Sequence, residues 1–222
     1  MGANFITGTG TDIGKTWLAC ALLRHWRGEG RRPAALKPLL SGFDPLLPQH
    51  SDAGALLAAL GREAGTEELD AIAPWRFAAP LSPDMAAARE GRPIDFDELV
   101  SFSRRAIAAP ARPLLIEGVG GVMAPLDARH TVRDWIAASG LPCVLVTGSY
   151  LGSLSHALTA LEALQAVGIG VAAIAVNESP DSTVALDATL ESLSRHAGGV
   201  PLVAIERANS QEAITRLAAL LA

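Results

Sequence analysis

The chain has 222 residues, 50% apolar and 18% charged, with a net charge of -5: enough for one sizeable α/β domain over 1–222, and too acidic, without any Lys/Arg-rich stripe, for a nucleic-acid surface. Its two cysteines, Cys20 and Cys143, exclude a disulfide framework and fit a reducing cytoplasm. No charged start followed by an apolar core opens the chain and no apolar run reaches about 18 residues, so neither a signal peptide nor a membrane partner is expected.

The apolar run at 3–7 reads as a buried first strand, and Thr16 to about Trp26 as the helix after it, ended by Gly28-Glu29-Gly30. Between them lies Thr7-Gly8-Thr9-Gly10-Thr11-Asp12-Ile13-Gly14-Lys15-Thr16, which reads as a phosphate-binding loop. Glycines allow a tight turn with backbone N–H groups pointing inward, Lys15 supplies a point charge for the β- and γ-phosphates, and Thr16 offers a hydroxyl to Mg²⁺. The strict pattern G-x-x-x-x-G-K-[ST] would put a glycine at Thr9; the nearest is Gly8, one position early. Gly10 stands where partition-type ATPases carry an additional lysine. A plain Gly/Thr turn is the alternative, weakened by the strand before the loop and the helix after it.

A second strand, Ala34-Ala35-Leu36-Lys37, stops at Pro38, which disfavours helix in the residue before it. That leaves Lys37 at a strand's C-terminal end, where ligands sit in doubly wound sheets. A solvated lysine is the competing reading; the scarcity of lysine, with Lys15 and Lys37 alone in the chain, and the nearby Ser41-Gly42 favour a role in the crevice. Residues 43–100 are harder to read. Ser51 or Asp52 caps a helix from Ala53 to Leu60, and Asp52 can ligate a metal only by folding back toward Thr16. The proline-rich stretch from Ala73 to Asp84 reads as an irregular surface loop near the site. Asp95 or Asp97 starts a helix running to about Ala109.

Leu114-Leu115-Ile116-Glu117-Gly118 is a buried strand ending in a carboxylate, followed by Val119-Gly120-Gly121. Downstream of a phosphate loop, such an acid is the usual second element of a Mg²⁺ site; a strand-ending acid in a turn is the plain alternative. Pro142 to Thr147 forms another buried strand, and Gly148-Ser149-Tyr150-Leu151-Gly152 leads into a helix from Ser153 to about Val167. The unpaired N–H groups at that helix start make a second anion site, unless Ser153 is simply its cap. Residues 170–176 form a further strand ending at Asn177, whose amide both donates and accepts and so suits the edge of an adenine base. A last strand covers 202–205, with an amphipathic helix from about Gln211 to Leu221, and the five histidines show no metal-ligand spacing. Strands separated by helical stretches point to an α/β, P-loop NTPase-like fold, a mostly parallel sheet with helices on both faces.

The loop at Gly8–Thr16, Lys37-Pro38-Leu39-Leu40-Ser41-Gly42, Ser51-Asp52-Ala53, Leu81-Ser82-Pro83, Glu117-Gly118-Val119-Gly120-Gly121, the run Leu151-Gly152-Ser153-Leu154-Ser155-His156-Ala157-Leu158 and Val176-Asn177 together resemble dethiobiotin synthetases, in order and with family-like spacing. The family's phosphate loop is longer by one residue, which accounts for Gly8. The resemblance implies an ATP- and Mg²⁺-dependent ligase that converts 7,8-diaminopelargonic acid and carbon dioxide to dethiobiotin as a homodimer. It implies Thr16, Asp52 and Glu117 as the metal set, with Lys37, Lys15 and Thr11 catalytic. Thr11, Lys37, Ser41, Leu151, Gly152 and Ser153 would contact substrate; Asp12, Ile13, Gly14, Lys15, Thr16, Asp52, Glu117, Gly118, Val119, Gly120 and Asn177 would contact nucleotide. Departures are Asp12 for the common glutamate, Asp84 for histidine, Ser155 for asparagine, and Ile205-Glu206-Arg207 where Ile-Pro is usual. A cobyrinate-type amidoligase, which needs a nucleophilic cysteine, and a nucleotide-switch ATPase are the rival readings.

Overall fold

In the computed structural model, which describes residues 2–109 and 113–221, the long apolar runs line up as a six-stranded sheet. β1 (Ala3–Gly8) feeds α1 (Lys15–Gly28), and β2 (Ala34–Leu36) follows. After Pro38 come β3 (Leu39–Ser41), a 3-10 turn at Pro48–His50, α2 (Asp52–Ala59), α3 (Thr66–Ile72), β4 (Trp75–Phe77), α4 (Pro83–Glu90) and α5 (Phe96–Ile107). Strands and helices then alternate: β5 (Leu114–Glu117), α6 (Val132–Ser139), β6 (Cys143–Gly148), α7 (Ser153–Gln165), β7 (Val171–Asn177), α8 (Leu186–Ser194), β8 (Leu202–Ile205) and α9 (Gln211–Leu220).

The strand order is β2-β5-β1-β6-β7-β8, and the pairings are parallel. The step from β1 out to β2 runs one way along the sheet, and the steps from β5 through β6 and β7 to β8 run the other. Right-handed crossovers therefore put α1 on one face and α6, α7 and α8 on the opposite one. α2 and α9 pack against α1, and α5 against α6. With both faces covered, Phe5, Ile6, Ile116, Val144, Leu145 and Ile174 are fully buried, which is why these strands read as continuous apolar runs. Register aligns the C-terminal ends: Ile6 lies opposite Glu117, Leu36 opposite Ile116, and Gly148 opposite Asn177. No helix among the described residues is long and apolar enough to cross a membrane.

One expectation needs correction. The stretch from Ala73 to Asp84 is not irregular throughout: Trp75–Phe77 is β4, which pairs with β3 in a small parallel sheet, Leu39 opposite Trp75 and Ser41 opposite Phe77, with Phe77 buried. Residues 78–82 are irregular, and Pro80, Leu81 and Ser82 line the cavity beside the phosphate loop. Its prolines misled because they punctuate rather than break structure: Pro74 precedes the strand, and Pro83 opens α4, where no backbone N–H is required. The second strand does stop before Pro38, with Lys37 just past its end, and the chain resumes extended structure one residue after the proline as β3, in a different sheet. α3, α4, α6 and α8 go beyond the sequence reading; they are short, with too few turns for a firm periodicity.

Candidate active site

Close approaches shape the loop between β1 and α1. A Cβ on Gly8 would lie 2.4 Å from Ile13 Cδ1 and 2.9 Å from the Val146 carbonyl oxygen, the same oxygen that accepts the Thr9 N–H at 2.9 Å. The early glycine is thus a packing requirement of the longer loop. Gly14, the N-cap of α1, has φ 92°, and Asp12 has φ 56°, a left-handed conformation that short Asp tolerates better than most side chains. Gly8→Ala is expected to weaken MgATP binding by about tenfold or more while the chain still folds, because the added methyl must displace either Ile13 or a β6 carbonyl. Calorimetric titration beside a thermal melt checks it.

Four charged groups meet at the end of the loop. Lys15 is buried and its Nζ donates to the Gly10 carbonyl at 2.5 Å. Burial, then repulsion from Lys37, pushes its ammonium down to about 8. Lys37, 2% exposed, donates to Glu117 Oε1 at 2.7 Å and to the Gly118 carbonyl at 2.7 Å, and forms an ion pair with Asp52 Oδ2 at 3.1 Å. Burial alone would lower its pKa, but Glu117 and Asp52 outweigh that and hold it above the ordinary lysine value. For Asp52, burial acts upward while the Lys37 charge, with the nearby Thr16 hydroxyl and Lys15, holds the carboxyl below its usual range. The single hydroxyl proton of Thr16 goes to Glu117 Oε1 at 2.6 Å. Asp52 does fold back toward Thr16, and it is free to do so because Ser51 caps α2 by accepting the Gly54 N–H at 3.1 Å. Glu117 Oε2 and Ser41 Oγ are buried without a hydrogen-bond partner among the described residues.

The loop divides two cavities. One, of about 790 Å³, is lined by Thr11, Lys15, Thr16, Lys37, Ser41, Asp52 and Glu117, with Val119 and Gly120 beyond them. The other, of about 680 Å³, is lined by Ile13, Asn177, Glu178, Ile205, Glu206 and Arg207. Both share Asp12 and Gly14. Asn177 Nδ2 donates to the Ile13 carbonyl at 2.6 Å, leaving its Oδ1 buried and without a partner among the described residues. The departure at 206–207 falls on this second cavity, where the Arg207 N–H donates to Glu178 Oε2 at 2.8 Å. Leu151, Gly152 and Ser153 line neither cavity, and Leu151 is 88% exposed. Trp17, half exposed, lines both and escaped the sequence reading. Helical periodicity was the available signal, since Leu18, Leu22 and Trp26 turn inward and leave Trp17 on the opposite side.

Among the described residues no group of three or more His, Cys, Asp or Glu side chains comes together as a metal site. Any cation here rests on two carboxylates and the Thr16 hydroxyl. Cys20 and Cys143 are buried free thiols pushed up to about 11 and about 12 by burial, so neither offers the nucleophile an amidoligase requires.

The sequence matches the AAA domain family over residues 3–213. Among solved structures, the chain is similar to the hydrogenase maturation factor HypB of Archaeoglobus fulgidus (TM-score 0.60, 13% identity, covering 100% of this chain and 91% of that one). It is also similar to the cell division ATPase MinD of Pyrococcus furiosus (TM-score 0.59, 14% identity, covering 100% and 98%). These likenesses show the P-loop NTPase fold alone. Closer kinship appears in sequence. The chain is 54% identical to the ATP-dependent dethiobiotin synthetase BioD of Acidiphilium cryptum, over 89% of each chain. It is 47% identical to that of Methylobacterium nodulans, over 89% of this chain and 90% of the other, and 45% identical to that of Phenylobacterium zucineum, over 93% and 89%. Identity at this level over nearly the full length of both partners goes well beyond a shared fold: the chain belongs to the dethiobiotin synthetase family.

Proposed function

We infer that the chain forms dethiobiotin from 7,8-diaminopelargonic acid, carbon dioxide and ATP, releasing ADP and phosphate. The observation that carries this reading from family to site is the pair of cavities meeting at the phosphate loop. A nucleotide lying across the loop has its base beside Asn177 and its γ-phosphate toward Lys37, and the first cavity continues past Lys37 to Ser41, with room for a second substrate. One substrate amine adds to carbon dioxide and loses a proton, giving a carbamate. A carbamate oxygen attacks the γ-phosphorus as the bond to ADP breaks, giving a mixed carbamic–phosphoric anhydride. The neighbouring amine then attacks the carbamoyl carbon, phosphate leaves, and the ureido ring closes with loss of a proton.

Both transfers gather negative charge. Lys15 and Lys37 offset it as it develops, while the loop amides around Asp12, Ile13 and Gly14 hold the phosphates in line. Thr11 and Ser41 orient the reacting amines; the orphaned Ser41 Oγ supports this role. The donor set Thr16, Asp52 and Glu117, all oxygen, suits Mg²⁺, which takes few protein ligands and keeps waters and substrate phosphates, and the unpartnered Glu117 Oε2 supports the fit. When bound, the ion supplies positive charge to the phosphoryl oxygens. Asn177 Oδ1 offers an acceptor to the exocyclic amine of adenine. Leu151, Gly152 and Ser153, outside the cavities of their own chain, are the residues a second copy would bring to the substrate carboxylate in a homodimer.

The test incubates the protein with diaminopelargonic acid, bicarbonate and MgATP and follows dethiobiotin by mass spectrometry. Product that depends on all three components is the expected result. ATP hydrolysis without dethiobiotin would favour the switch-ATPase reading and overturn this one.

A further inference from the structure

Asn177 closes β7 and is held there on both sides, opposite Gly148 of β6 and Ile205 of β8, with its own carbonyl accepting the Ser149 N–H at 3.1 Å. Its side chain reaches across to the phosphate loop. Nδ2 donates to the Ile13 carbonyl at 2.6 Å, a contact between residues 164 positions apart in the chain. The neighbouring residue records the same proximity independently: a Cβ on Gly14 would lie 2.4 Å from Asn177 Nδ2. The amide therefore rests against the loop backbone at the residue that opens α1 with φ 92°.

The loop has little else to hold it here. Thr11 and Asp12 are exposed, and among the described residues no other hydrogen bond from outside the loop reaches residues 11–13. The Lys15 bond to Gly10 is internal to the loop. A carbonyl turned outward to Asn177 fixes the peptide plane it belongs to, so the N–H of Gly14, in the same plane, is aimed the opposite way. That N–H is one of the donors a phosphate meets at a helix start.

We propose that Asn177 is a positioning residue for the phosphate loop: by holding the Ile13 carbonyl it sets the Gly14 N–H toward the phosphates, in addition to any contact with the base. This deepens the nucleotide reading above and rests on it. It follows that losing the side chain weakens the binding of phosphates that carry no base.

The experiment is calorimetric titration of the full-length protein with inorganic tripolyphosphate and, separately, ATP, both with Mg²⁺. Wild type is compared with Asn177→Ala, Asn177→Asp and Glu206→Ala. Asn177→Asp keeps the shape but turns the donor into an acceptor facing a carbonyl, and Glu206 lines the base cavity with no hydrogen bond or ion pair to the loop among the described residues. Both Asn177 variants are expected to bind tripolyphosphate about tenfold more weakly, while Glu206→Ala stays within about twofold of wild type. Asn177 variants that lose ATP affinity but bind tripolyphosphate like wild type overturn the proposal and leave Asn177 as a base contact only. A wild type that binds ATP but not tripolyphosphate overturns it too, since the loop would then depend on the base. If wild type binds neither, the nucleotide reading falls with it. A melting temperature for each variant separates loop displacement from unfolding, and Asn177→Asp, being isosteric, keeps the comparison informative should the alanine variant fail to fold.

Discussion

Lys37→Ala is expected to lower turnover about a thousandfold at saturating substrates while leaving MgATP affinity within about tenfold of wild type. The asymmetry follows from where charge appears. On the function proposed above, phosphates in the ground state would already have Lys15 and the loop amides, whereas the charge that accumulates during transfer would lie in the cavity that Lys37 lines. Single-turnover formation of dethiobiotin and calorimetric nucleotide binding separate the two effects; equal losses in both would remove Lys37 from the transfer step. The substitution also exposes what Lys37 does in the free protein. Its ammonium neutralises Glu117, 1% exposed, and Asp52, so removing it strands a buried carboxylate at a cost of about 3–5 kcal/mol. A cation bound by the same carboxylates offsets part of that loss. The melting temperature of the variant should therefore rise with Mg²⁺ more than that of wild type.

The second large effect belongs to Glu117. Glu117→Gln preserves shape but removes one of the two carboxylates available to a metal, and the Mg²⁺ concentration for half-maximal activity should rise at least about tenfold, with a fall in turnover at low Mg²⁺. Lys37 keeps Asp52 and the Gly118 carbonyl as partners, so the fold should survive. An unchanged metal titration would take Glu117 out of the metal set and leave it as the anchor of Lys37.

How much of this was legible in the sequence depended on the range of the interaction that decides each feature. The phosphate loop was legible because its chemistry is local: glycines, Lys15 and Thr16 follow one another between a strand and a helix. Lys37 and Glu117 were legible as residues at strand ends, since a parallel sheet gathers those ends on one edge whatever the intervening chain does. Asp52 stood undecided between cap and ligand, because only tertiary structure shows that Ser51 takes the cap and leaves the Asp52 carboxylate to meet Lys37. β3 and β4 were missed for a similar reason: each is three residues long and is made a strand by its partner, not by its own periodicity. Leu151, Gly152 and Ser153 mark a different boundary, since residues that line no cavity within one chain cannot be given a role from that chain's packing.

The parallel strand order also bears on how the chain comes to possess a binding site at all. The loop follows β1, Lys37 follows β2, Glu117 ends β5, Asn177 ends β7 and Glu206 lies just past β8, and the connections between these strands are long crossovers. Pairings so distant in sequence form late and slowly. Until the sheet is complete these strand ends are not brought together, so on the nucleotide reading proposed above nucleotide would bind the finished sheet, and by mass action its supply would become one of the terms that sets how much of this chain is folded.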